Sequence, residues 1–108
     1  MDSVDKITAK RYELQAKLED ILGSDEVHFQ PPASKEIHYP AIVYSLDKIE
    51  NVHANNAVYH QFPSYEIIVI HKEPDCDIVY EVSRLPMCRH INHYVADNLY
   101  HDVFKLYN

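Results

Sequence analysis

The chain is short of the residues that several common chemistries need. It has one glycine in 108 residues, Gly23, so it holds no Gly-rich loop to cradle a phosphate on backbone N–H groups, which disfavours phosphate-transfer enzymes. Its two cysteines, Cys76 and Cys88, form no Cys-x-x-Cys pair and are too few for a disulfide framework. Both are expected to be reduced, Cys76 near a helix start and Cys88 in a strand. There is no tryptophan and no run approaching the ~20 apolar residues of a membrane span. The opening MDSVDKITAK carries charge from its second residue and lacks a signal-peptide core, so the protein is expected to start in a cytoplasm. Basic residues are scarce too: 10 against 17 acids give a formal charge of −7, which repels phosphate backbones and anionic membranes. A protein that surrounds DNA without gripping it is the exception this charge allows.

What is present reads as one soluble domain, residues 1–108, 46% hydrophobic and 25% charged with no biased tract. In SVDKITAKRYELQAKLEDILG, Val4, Ile7, Leu14, Leu18 and Ile21 recur at spacings of three, four or seven. This predicts an amphipathic helix with Ser3 as N-cap and Gly23 as left-handed C-cap. DEVHFQPP predicts a brief edge strand stopped by Pro31 and Pro32. YPAIVYSLDKIE alternates Ile42, Tyr44 and Leu46 against Ala41, Val43 and Ser45, the period of a strand. Residues 51–64 have no sustained period and Asn55-Asn56 at their middle, and predict a long hairpin connection or a protruding loop. YEIIVIHKE, apolar at consecutive positions, predicts a central strand covered on both faces. PDCDIVYEVSRLP predicts a second helix of about ten residues. The remainder predicts two strands joined at Ala96-Asp97-Asn98, with Tyr100, Phe104 and Leu106 sharing one face. The resulting class is α+β, a mainly antiparallel sheet with two helices packed on one face.

Candidate chemistry is thin. His90 and His93 have ligand spacing on a helix, but three residues apart on a strand they are expected on opposite faces. His93 and His101 are expected as cross-strand neighbours, with Asp102 adjacent. No catalytic, cofactor-binding or metal-ligating residue is assigned: Glu66, Lys72, Glu73 and Asp75 read as a solvated strand exit, and Asp75 and Asp77 flank Cys76 with the wrong charge for a thiolate. The nine tyrosines exceed what so small a core holds, so several are expected on a contact surface.

Three motifs in order, YPAIVY (39–44), YEIIVIHKEPD (65–75) and YVADNLYHDVFKLY (94–107), resemble the small tail-completion proteins of long-tailed bacteriophages, the tail terminator or head-to-tail joining class. The likeness covers residues 26–108, roughly. It implies a virion structural protein without enzymatic activity that assembles in the infected host cytoplasm as a ring, generally a hexamer. The implied partners are other copies of itself, the tail tube protein and the head connector, with genomic DNA passing through unbound and no membrane. Tyr94, Asp97, Asn98, His101 and Asp102 of the closing hairpin, and Asn55, Asn56 and Tyr59 of the 51–64 segment, are then the expected contact residues. Two rival readings remain: a non-viral protein-binding module, and a metal-dependent hydrolase using His90, His93, His101 and Asp102.

Overall fold

A computed structural model of the chain describes residues 3–108; the side chains of Ser3 and Tyr59 lie outside what it describes, so the Ser3 cap and the Tyr59 contact do too. The elements run α1 (Ser3–Leu22), β1 (Val27–Phe29), β2 (Ala41–Ala54), β3 (Ala57–His71), α2 (Asp77–Ser83), β4 (Cys88–Ala96) and β5 (Leu99–Tyr107). The five strands form one sheet in the order β1-β2-β3-β5-β4, with β1 parallel to β2 and every other pair antiparallel. The class is α+β, as the pattern predicts.

Helix α1 stops where the only glycine allows it to. Gly23 takes φ 78°, and its N–H donates to the Glu19 carbonyl at 2.8 Å, satisfying one of the terminal carbonyls. The helix buries Leu14 and Leu18 against the sheet; Val4, at the other end of the expected apolar stripe, is 64% exposed. Opposite them lie Val27, Ile42, Tyr44, Tyr65, Ile67, Val69, Phe104 and Leu106, joined by Val82 of α2. Fully burying a side chain of this kind contributes roughly 1.5–3 kcal/mol. Gln15 orients the helix on the sheet: its Oε1 accepts from the Tyr44 hydroxyl at 2.6 Å, and its Nε2 donates to the Val27 carbonyl at 2.9 Å.

Three sequence expectations change. Strand β3 is central, but only one of its faces is covered: Tyr65, Ile67, Val69 and His71 are buried, whereas Ile68 and Ile70 are half-buried and Glu66 is exposed. Both helices sit on the same side, so the apolar run reflects one deep face and one shallow one. Residues 51–64 take the hairpin alternative and not the protruding loop, and they are strand almost throughout. They continue β2 and β3 as a hairpin, turning at Asn55 (φ 53°) and Asn56 (φ 63°), the two left-handed residues of a type I′ turn. The lack of period follows from a two-stranded ribbon with no core beneath it. Helix α2 is seven residues long, shorter than the predicted ten.

Candidate functional site

Two features stand out from the packing: a buried carboxylate ringed by imidazoles, and the surfaces that project from the sheet.

Asp102 lies on β5 opposite Val69, facing the helices. It is 4% exposed. His71, at the end of β3, is buried beside it and places Nε2 2.8 Å from Asp102 Oδ2, while its Nδ1 lies 2.8 Å from the Glu73 carbonyl. A carbonyl can only accept, so Nδ1 carries a hydrogen. Asp102 Oδ1 meets two further rings, His90 Nε2 at 2.9 Å and His93 Nδ1 at 2.8 Å. Tyr100 stacks on His71 and on His93. Burial by itself pushes the Asp102 carboxyl up, but hydrogen bonds from His71, His90 and His93 outweigh it and hold the group below its ordinary value.

This arrangement corrects the expectation that His90 and His93 face opposite ways. Strand β4 is bulged: His90 pairs with Phe104 and Asn92 with Val103, so Ile91 is an extra residue. The insertion brings both histidines to the face of Asp102. His101 does not join them. It pairs with Tyr94 and stacks on that ring at 4.7 Å on the other face of the sheet, so the expected His93–His101 proximity is not formed. The hydrolase set of His90, His93, His101 and Asp102 is therefore split between two faces. Among the described residues, no three His, Cys, Asp or Glu side chains are placed to hold a metal ion. Sequence reasoning missed His71, although a signal existed: it continues the buried alternation of Tyr65, Ile67 and Val69.

Chemically, the cluster is one carboxylate held by three rings; with Nδ1 already donating to Glu73, His71 donates to Asp102 from Nε2 only as an imidazolium, which makes that contact an ion pair. It ties β3, β4 and β5 together at the point where the bulge interrupts the ladder. Neither cysteine joins it in a hydrogen bond: Cys88 opens β4, and burial pushes its thiol up to about 11, away from the thiolate a nucleophile needs.

The expected contact residues divide differently. Asp102 is under the histidines and not presented to a partner. Asp97 (φ 54°) and Asn98 (φ 61°) form the β4–β5 turn, just as Asn55 and Asn56 form the β2–β3 turn. For these four, backbone geometry accounts for the residue type. Tyr94, 39% exposed, remains on the surface beside the half-buried His101.

The projecting surfaces are larger. The ladder from β1 covers β2 only from Ile42 to Tyr44, and the ladder from β5 covers β3 only from Ser64 onward. Residues 50–54 and 57–62 therefore pair only with each other, as a two-stranded arm that helps give the molecule its 51 × 24 × 23 Å extents. Val52 (46%) and Val58 (53%) are exposed on it. On the far side of the sheet, β4 is an edge strand with Ile91 and Val95 exposed. No known protein family, curated protein or solved structure matches this chain.

Proposed function

We propose that this protein is a virion structural component that caps the tail tube of a long-tailed bacteriophage as a ring, of six copies in the expected form, and joins it to the head connector. The observation that carries the reading is the arm. A two-stranded ribbon is at best marginally stable alone in water, and this one extends beyond the sheet with Val52 and Val58 exposed. Such a ribbon suits a chain that completes its packing against other subunits.

Other features support the same reading. The three motifs that resemble tail-completion proteins fall on β2, β3 and the β4–β5 hairpin, the strands that build the sheet. A net charge of −7 gives a ring of many copies an acidic surface, which lets DNA pass through a lumen without adhering. Among the described residues no helix is long and apolar enough to cross a membrane. The tube protein and the connector are the partners this role requires, in a virion assembled in the host cytoplasm.

The test is electron microscopy of a lysate from the parent phage lacking this gene. Over-long tails, or heads and tails lying unjoined, are the expected result, and the defect seen separates termination from joining. Intact infectious particles overturn the proposal and leave a non-viral binding module as the reading of the exposed arm.

A further inference from the structure

The distribution of charge singles out two surfaces. Residues 51–65 contain no Asp, Glu, Lys or Arg, and residues 85–96 contain no acid and one base, Arg89, in a chain with 17 acids. The first segment is the arm beyond Glu50 with the start of the sheet behind it; the second includes the whole of edge strand β4. The acid-poor stretches thus coincide with two of the places where strand edges lack a neighbour, whereas β2 past Tyr44, also without an outer strand, carries Asp47, Lys48 and Glu50. Any contact between copies of a chain carrying −7 has to avoid opposing acids, and the two acid-poor surfaces do so.

Backbone chemistry fits the same pairing. Strand 57–62 bonds to β2 on one side and has no strand on the other, and β4 bonds to β5 alone. Each leaves outward N–H and C=O groups that another strand can satisfy. The bulge at Ile91 interrupts β4, but Asn92–Ala96 beyond it keeps a regular register with β5. Five to six residues is the length of an ordinary strand; the arm strand carries a bulge of its own at residue 59, where Val52 pairs with His60 and His53 with Val58, so the two free edges match in length but not in regularity. Val58 on the arm and Val95 on β4 are 53% and 62% exposed, and strand addition would cover both.

We infer that the arm strand 57–62 of one copy adds to the β4 edge, Asn92–Ala96, of a second copy. The inference rests on the ring proposed above and names its subunit contact. The two patches are different surfaces, so the contact is head-to-tail and each copy offers a free arm and a free edge at opposite ends, which a closed ring consumes in full.

The test uses the full chain concentrated to where it associates, carrying Val58→Cys, Val95→Cys or both, with a short bismaleimide and the wild-type chain as control for Cys76 and Cys88. The expected result is a ladder of multimers from the double variant only, and a cross-linked dimer when the two single variants are mixed. Cross-linking of Val58→Cys alone or of Val95→Cys alone, repeated in a chain whose Cys76 and Cys88 are replaced by serine, means a two-fold contact and overturns the inference, as does a double variant no more cross-linked than wild type. Hydrogen exchange on the unmodified chain is independent of these variants: dilution should release amides of both 57–62 and 92–96, and release of neither overturns the pairing. A two-fold pattern together with over-long tails removes the contact and leaves the function. A ladder with intact particles from the deletion removes the function and leaves the contact.

Discussion

At the scale of single residues, Asp102 is the side chain whose loss should cost most per atom. Truncation to alanine deprives three imidazole donors of their acceptor. His90 and His93, with side chains 41% and 48% exposed, regain water, whereas buried His71 does not. The loss should therefore be about 2–3 kcal/mol, nearer one buried charged hydrogen bond than three; urea titration of Asp102→Ala against wild type reads it. The same group predicts an acid limb. Its folded carboxyl lies below the ordinary 3.8, so the unfolded chain takes up the proton first. The stability it contributes is present above that value and is lost as pH falls through the lower folded one. Melting curves from pH 6 down to pH 2 should show this limb in wild type, and Asp102→Ala should lack that component.

Among the elements, the hairpin turns give the expected contact residues a second, conformational reason for their type. Asp97 and Asn98 look like surface recognition residues, yet both hold positive φ, where β-branched side chains are strained. Asn98→Val should destabilise the chain by about 1–2 kcal/mol, while Asn98→Gly should leave thermal stability and copy-to-copy assembly within error of wild type. Loss of assembly in a stable Asn98→Gly variant would give that side chain a contact role after all. The expectation of a hairpin here was legible because its turn chemistry is local. The arm was only half legible: Asn55-Asn56 signalled a turn, but strand assignment from the sequence leans on a buried face, and this ribbon has none.

For the whole molecule, stability is unevenly spread. The body holds every buried apolar residue of the main core, and the arm contributes none of them. Amides of residues 51–61 should thus exchange through local opening, orders of magnitude faster than those of Ile67, Val69 and Phe104, which open only with global unfolding. Exchange rates in the arm of the dilute chain equal to those of the core would mean that the ribbon is stable unaided. The arm would then need no neighbour, and its exposure would carry no sign of assembly.

The sequence by itself determined what depends on nearest neighbours along the chain. The period of Leu14 and Leu18, the lone glycine after Leu22, the alternation of Ile42 and Tyr44, and the Asp-Asn turn each set a backbone conformation through local sterics and one buried face, and together they establish the α+β class. Tertiary structure decided what depends on register between strands. One extra residue at Ile91 reverses the facing of everything on one side of it. Only that shift brings His90 and His93 to Asp102, where His71 arrives from 31 positions earlier in the chain. A period-two pattern carries no mark of a bulge, because an insertion in one strand is defined by the strand it pairs with.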